Sequence, residues 1–421
     1  MSQNILFIVP YVPNLIRVRP YNLIRQLAER GNRVTVLTLW TDEQERRSLE
    51  PLKEMAEAVI AVHLRRWRSL WNCLAALPSR KPLQTVFCWE PALARLIGQV
   101  VESNNGRPAF DVVHVEHLRG APYGLYFKSL SAGRGLPLPV VWDSVDSISL
   151  LFRQAMVRSK SPVSRGLTRF ELGRTEAYEA WLLGQFDRVT VTSPADKQAL
   201  LSLLPANYAP PKISVLPNGV DLDYFRPDEN RSREPETLVI SGKMSYHANV
   251  TMVLHFVQEI MPRVWSRRPG ANLLVVGKDP TREILALSGD PRITITGTVQ
   301  HLPPYLQKAS LAVAPIAYGA GIQNKVLEAM ACQTPVVTSP QAVSALDVQP
   351  GKDVLVSDSP EPFAEHILHL LDDPVFSRQI GQAGRKYVET HHHWPAVAGQ
   401  FEDLYREVVG ELRSKNIRRQ K

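Results

Sequence analysis

The sequence predicts an α/β protein made of two doubly wound, parallel-sheet domains. Three observations predict this. Short apolar, β-branched runs recur in two successive series and alternate with segments of helical spacing. Several runs stop at a glycine, as in Leu238–Gly242, Leu273–Gly277 and Ile293–Gly297. A chain of 421 residues also exceeds one ordinary core, so two domains are expected.

In the first series, Ile5–Val9 is a buried-strand run. Val18, Tyr21, Ile24, Leu27 and Ala28 then fall on one helical face, Gly31 ends that helix, and Val34–Leu39 is the next strand. This is a β-α-β unit of a parallel sheet. Asp111–Val115, Pro139–Trp142 and Val189–Thr192 continue the series. The second series begins near residue 213. It runs through Leu238–Gly242, a helix from about Asn249 to Val264, Leu273–Gly277, Ile293–Gly297, Leu311–Ala314 and Pro335–Thr338. Two such units are expected to face a cleft. Leu216-Pro217-Asn218-Gly219 is the turn that joins them. Helical spacing returns from Pro395 to Val409, ahead of a basic stretch, Arg413 to Lys421. The expected division is residues 1–212 and 213–395, with a C-terminal helix over about 396–421.

Composition narrows the function. Cys73, Cys88 and Cys332 have no metal-ligand spacing, cannot all pair, and suit a reducing cytosol. Ile5–Val9 lacks a basic region before it and a small-residue cleavage site after it, so it reads as a strand rather than a signal peptide. No apolar stretch approaches the ~18 residues of a spanning helix. The expected location is the cytoplasm, possible peripheral contact with the inner face of the cytoplasmic membrane included. A net charge of +8 favours an anionic partner: phosphate-bearing substrate, membrane surface or nucleic acid.

The segment Gly319 to Val337 carries the most chemistry. Two glycines open into an apolar-periodic stretch that breaks at Gln333-Thr334-Pro335, giving loop, helix, turn and strand. The first amides of such a helix have no internal partner and form an anion site, to which Lys325 adds a cation. Glu328 lies about seven residues past Gly321, so about 10 Å along the axis from it. That is too far for phosphate and suited to hydroxyls on a group joined to it, such as a ribose. A solvated Lys-Glu pair on a surface helix is the competing reading.

Together these residues resemble retaining glycosyltransferases of the GT-B fold, in the large bacterial group 1 superfamily. The resemblance spans nearly the whole chain. It is densest in Leu216 to Phe225, in Gly242-Lys243, and in Gly321 to Val337. It implies two Rossmann-like domains, an N-terminal acceptor domain and a C-terminal nucleotide-sugar domain, with a C-terminal helix crossing back. Glu328 would hold the donor ribose. Gly319, Gly321, Asn324 and Lys325 would lie near the diphosphate and sugar, Gly242-Lys243 would face the diphosphate, and the stretch ending at Val299 would meet the base. No metal or cofactor is implied beyond the nucleotide sugar as co-substrate. The sequence departs from the family pattern at Ala320, where a first glutamate usually stands, at Lys243, where arginine is usual, and at Ala248, where lysine is usual.

On the acceptor side, the resemblance places a catalytic group at the end of the strand Val113-His114-Val115. His117 is the first candidate and Glu116 the alternative, with His114 a core residue. Asp143 and Asp146 follow the strand ending at Trp142, where α/β folds place ligands, although Asp-x-x-Asp also caps helices. Arg17 and Arg19 suit a phosphate-bearing acceptor or the donor diphosphate by bidentate bonding, or else face solvent. Asp221 and Asp223 read as a hinge turn, and His391-His392-His393 as a loop rather than a metal site.

From His63 to Pro82, Arg65, Arg66, Arg68, Trp67, Trp71, Leu70 and Leu74 interleave as in a helix lying on an anionic bilayer. A core helix with a basic outer face fits equally, and no nucleic-acid recognition motif is present. The expected function is transfer of a sugar from a nucleotide-diphosphate sugar to a saccharide or lipid-linked acceptor, with retention of configuration, in surface polysaccharide or glycolipid synthesis. The alternatives are a non-catalytic nucleotide-sugar or membrane-binding relative and a sugar-nucleotide epimerase of the same fold.

Overall fold

The computed structural model describes residues 2–14, 17–101, 109–158, 162–205, 207–208, 211–228, 232–318 and 322–420. The chain forms two compact units, Met1–Pro217 with Trp394–Lys421, and Asn218–His393.

The first unit holds a seven-stranded sheet. Its strands are β1 (Asn4–Val9), β2 (Arg33–Trp40), β3 (Ala58–His63), β4 (Val112–Glu116), β5 (Val140–Val145), β6 (Arg188–Val191) and β7 (Ile213–Val215). They lie in the order β3-β2-β1-β4-β5-β6-β7, and every pairing is parallel. A parallel sheet is covered on both faces, so its central strands must be apolar throughout. Ile5 to Val9 accordingly have no exposed surface. The chain winds away from β1 in one direction through β2 and β3, then in the other through β4 to β7. The switch point is the β1/β4 crevice, where such folds bind ligands.

The second unit repeats this plan. β8 (Glu234–Ser241), β9 (Asn272–Val276), β10 (Ile293–Gly297), β11 (Ala309–Ala314), β12 (Val336–Thr338) and β13 (Leu355–Val356) form a parallel sheet ordered β10-β9-β8-β11-β12-β13. Its switch point is β8/β11. Three strands escaped the sequence reading. β7 and β13 span only three and two residues, and β3 is a half-buried edge strand without polar alternation. The helix expected from about Asn249 to Val264 starts earlier, at His247, and runs to Arg267 through a π-helical turn over Phe256–Ile260. That turn falls just before Pro262, whose missing N–H an unbroken α-helix would leave unmatched.

The C-terminal helix, Trp394–Gln420, belongs to the first unit. Trp394, Val397, Ala398, Phe401, Leu404, Tyr405 and Val408 recur at helical spacing and are buried in one cluster with Leu23, Ile24 and Leu27. Glu402 accepts from the Arg30 guanidinium at 2.8 Å and from Asn32 Nδ2 at 2.6 Å.

Candidate functional site

In the second unit, the C-terminal ends of the strands meet through glycines. Gly242 follows β8 with φ +149°, and Gly277 follows β9 with φ +152°, values that side chains rarely adopt. A Cβ on Gly277 would stand 1.7 Å from the Gly242 carbonyl oxygen, so only glycine allows this approach. Gly277 N–H in turn donates to the Gly297 carbonyl at 3.2 Å.

The helix Asn324–Ala331 starts beside these turns. A Cβ on Gly242 would lie 3.5 Å from Lys325 Cε, so Gly242 and Lys325 share one wall. Asn249 Nδ2 donates to the Lys243 carbonyl at 2.9 Å and holds the Gly242-Lys243 turn. The Lys243 side chain stays half exposed, 4.0 Å from Asp279. Asn218 Nδ2 reaches Asn324 Oδ1 at 3.4 Å. Lys325 and Glu328, one turn apart, are both half-buried. Burial pushes the Glu328 carboxyl up to about 7 and the Lys325 ammonium down to about 8, each countered in part by the other. Val299 is half-buried against the core of this unit. Gly319, Ala320 and Gly321 lie outside the described residues.

Sequence reasoning passed over two residues here. His247 Nδ1 and the Tyr318 hydroxyl are 2.8 Å apart, with their rings stacked at 5.4 Å. Tyr318 directly precedes the glycine loop and His247 opens the helix after Gly242-Lys243. An aromatic beside each motif was the available signal.

In the first unit, His117 follows β4 without a loop. It begins the helix His117–Gly133 with φ +64°, a strained conformation for a non-glycine residue. Gly120 and Gly124 seat that helix hard on β4, since a Cβ on Gly124 would come within 2.7 Å of the Val115 side chain. Arg119 N–H donates to His117 Nδ1 at 3.3 Å, leaving the proton of the neutral ring on Nε2. Burial, with Arg119 adding, pulls the His117 pKa down to about 3, so the ring is neutral at physiological pH.

Behind His117 lies a buried polar network. The sheet register sets Glu116 opposite Asp143. Arg19 grips Asp143 through two bonds, at 2.7 and 3.2 Å, and its third nitrogen donates to the Pro217 carbonyl at 3.2 Å. His114 Nε2 is 3.4 Å from Glu116 and 3.7 Å from Asp143, while its Nδ1 meets the Tyr405 hydroxyl at 2.8 Å. The Tyr11 hydroxyl donates to Glu116 at 3.4 Å. Burial raises the Glu116 carboxyl, whereas Arg19 holds Asp143 below its ordinary value against the desolvation that opposes it. His114, Glu116 and Asp143 stand close enough to share a cation. The Arg19 guanidinium already occupies the Asp143 carboxylate and supplies that positive charge.

These contacts correct three expectations. Arg19 is not presented to a phosphate: it is 3% exposed and committed to Asp143. Asp143 does not follow its strand but lies inside β5, fully buried. Neither Asp143 nor Asp146 caps the next helix, because Glu179 accepts from Ile148 and Ser149 N–H there. Asp146 instead accepts from Thr192 Oγ1 at 3.1 Å, and burial beside Asp196 lifts it to about 7. Arg17 is partly exposed but pairs with Glu45 at 2.9 Å and lies over the Tyr11 ring. The structure thus brings Tyr11, Arg17, Glu116 and His117 together at the β1/β4 switch point, and Gly242, Lys243, Asn324, Lys325 and Glu328 together at β8/β11.

Known proteins resemble the chain across both units. Residues 17–224 match the model described as Glycosyltransferase Family 4, and residues 235–373 the model described as Glycosyl transferases group 1. The chain is 29% identical over 213 residues to a GDP-mannose-dependent monoacylated alpha-(1-6)-phosphatidylinositol monomannoside mannosyltransferase of Corynebacterium glutamicum, covering 46% of this chain and 56% of that protein. It is 26% identical over 260 residues to D-inositol 3-phosphate glycosyltransferase 2 of Catenulispora acidiphila, covering 55% and 58%. The chain therefore spans little more than half the length of the curated relatives it matches. Among solved structures, sucrose-phosphate synthase from Thermosynechococcus elongatus aligns with a TM-score of 0.67 at 19% identity, over 97% of this chain and 100% of that one. Anabaena HepE in complex with UDP-glucose aligns at 0.67 and 13% identity, over 96% and 100%. These likenesses establish the fold, the two Rossmann-like domains of GT-B glycosyltransferases.

Proposed function

We propose that this protein transfers a sugar from a nucleotide-diphosphate sugar to a saccharide or lipid-linked acceptor, with retention of configuration, in the synthesis of a surface polysaccharide or glycolipid. One observation carries the reading. At the β8/β11 switch point, glycine turns, the start of the helix Asn324–Ala331, Lys325 and Glu328 stand in the order that one nucleotide needs. Diphosphate lies against Gly242, Lys243 and the amides at Asn324, and ribose hydroxyls donate to Glu328. The base lies by Val299. The similarity of both units to glycosyltransferases supports the same reading.

In the reaction, negative charge grows on the departing diphosphate. The helix N–H groups and the half-buried Lys325 are in place before that charge appears, so they stabilise the transition state at little reorganisation cost, and the half-exposed Lys243 adds its charge from the turn after β8. The two lysines make a divalent ion unnecessary in this reading. His117, neutral and carrying its proton on Nε2, donates to a hydroxyl of the transferred sugar, while Tyr11 and Arg17 line the acceptor side and the buried Glu116 supports them from behind. A location in the cytoplasm, peripheral to the membrane, belongs to this proposal. Among the described residues no helix is long and apolar enough to cross a membrane.

The test is a thermal-shift panel of nucleoside diphosphates and sugar nucleotides, because ligands of the folded state raise its stability. Glu328→Ala should weaken donor binding by about 1.5–3 kcal/mol per charged hydrogen bond lost. Unchanged affinity in that variant rules out the ribose assignment.

A further inference from the structure

The first unit contains a groove of about 590 Å³ that the transfer chemistry does not use. That size falls within the ~300–1,000 Å³ of small-molecule sites. Trp71, Ala75, Trp89, Tyr126, Tyr178 and Trp181 form its walls, and Arg68 and Lys81 stand among them. The groove is built rather than incidental. Trp89 stacks on Tyr123 at 4.8 Å, and its carbonyl accepts from Asn72 Nδ2 at 2.8 Å. The Tyr123 hydroxyl donates to the Cys88 carbonyl at 2.7 Å and accepts from Glu90 N–H at 2.6 Å. Arg174 ties the far side by donating to the Leu77 carbonyl at 2.8 Å.

Two features identify an occupant. The groove opens beside an outward apolar stripe, Trp67, Leu70, Trp71 and Leu74 on the helix Arg66–Ala76, each 57–64% exposed. Arg68 and Lys81 line the groove, and Arg65, Arg66 and Arg80, exposed on the same segment of chain, add positive charge. An apolar trough with a cationic rim complements a hydrocarbon chain ending in an anionic head group. The second feature is position. Pro122, Leu125 and Tyr126 line the groove from the same helix that His117 begins. Five to nine residues separate them from His117, about 8–14 Å along the axis. The groove and His117 are thus carried on one rigid helix, the groove's lining lying on the turns that follow His117.

We infer that this groove binds one hydrocarbon tail of the sugar acceptor, an anionic lipid, whose head group meets Arg68 and Lys81 at the rim, on the unit that carries His117. The inference rests on the transferase reading for the word acceptor, but tail binding is measurable without it. The full-length protein is titrated with monoacyl glycerophosphates of increasing chain length, below their micelle concentrations, and followed by intrinsic tryptophan fluorescence. Affinity should rise about fourfold for each methylene seated, and glycerol 3-phosphate alone should not bind measurably. Ala75→Phe, which fills the groove without removing packing, should abolish the dependence on chain length, whereas Leu70→Ser and Leu74→Ser on the outer stripe should keep it. Affinity independent of chain length, or unchanged in Ala75→Phe, overturns the inference. So does self-association that depends on Trp71, which would give the groove to a second copy of the chain. A uridine or guanosine diphosphate thermal shift reports separately on the second unit, so failure of the transferase reading and failure of the groove are distinguished.

Discussion

At the scale of the residue, burial has shifted proton affinities where function needs them. Glu328 is pushed up to about 7 and Lys325 down to about 8. Donor binding needs the first ionised and the second protonated. It should therefore strengthen as pH rises through about 7 and weaken as pH rises through about 8, giving a narrow bell in kcat/KM. Glu328→Gln should remove the acidic limb and Lys325→Arg the basic limb. A profile flat from pH 6 to 9 would contradict both assignments. His117 should contribute no limb near neutrality, since its imidazole stays neutral down to about 3. Chelation of divalent ions should leave turnover unchanged if Lys243 and Lys325 carry the diphosphate charge, which an assay with and without EDTA decides.

At the scale of the element, two devices hold the sites in place. The first is the pair of glycine turns after β8 and β9. Gly277→Ala drives a Cβ into the Gly242 carbonyl in a backbone conformation that side chains resist. It should cost ~3 kcal/mol or more and abolish nucleotide binding, measured by denaturant unfolding and thermal shift. The second is the C-terminal helix. Tyr405 reaches His114 Nδ1, which spans to Glu116 behind His117. Tyr405→Phe keeps the packing and leaves that nitrogen without its partner, so it should lower stability by about 1–3 kcal/mol and shift the pH dependence of turnover. Phe401→Ala, in the same buried face, should cost about 3–5 kcal/mol by cavity formation without that pH signature.

The strands and glycine ends of these elements were legible in the sequence, because strands covered on both faces must be apolar in unbroken runs. Lys325 and Glu328 were legible as a pair because a helix sets residues three apart on one face. Arg19 and Asp143 were not, since 124 residues separate them and only the sheet brings them together. His247 and Tyr318 were missed for the same reason, 71 residues apart in the chain.

At the scale of the whole molecule, the chain crosses between its two units twice, and the two ends of the second unit are held to each other by one histidine. His392 is buried, its Nδ1 donates to the Asn218 carbonyl at 2.8 Å, and its own carbonyl accepts from Val220 N–H at 2.6 Å. His392 lies in the loop before Trp394 and ties the two ends of the second unit together. The net charge of +8 also acts at this scale. Co-sedimentation with anionic vesicles should weaken as salt shortens the Debye length below ~10 Å, and neutralising Arg65, Arg66 and Arg68 should cost about 1 kcal/mol each. Binding indifferent to lipid charge would remove membrane contact from the proposed function.

Local periodicity and glycine placement already spelled out two successive parallel-sheet units and the Lys-Glu spacing along the segment that forms the helix Asn324–Ala331, because both depend on neighbouring residues alone. It took the folded chain to show that Arg19 serves Asp143 rather than a phosphate, that burial keeps His117 neutral and raises Glu328 to about 7, and that aromatics from three helices and the turn at Trp89 enclose a groove. Charge state and partnership depend on desolvation and on contacts between distant segments, and folding creates both.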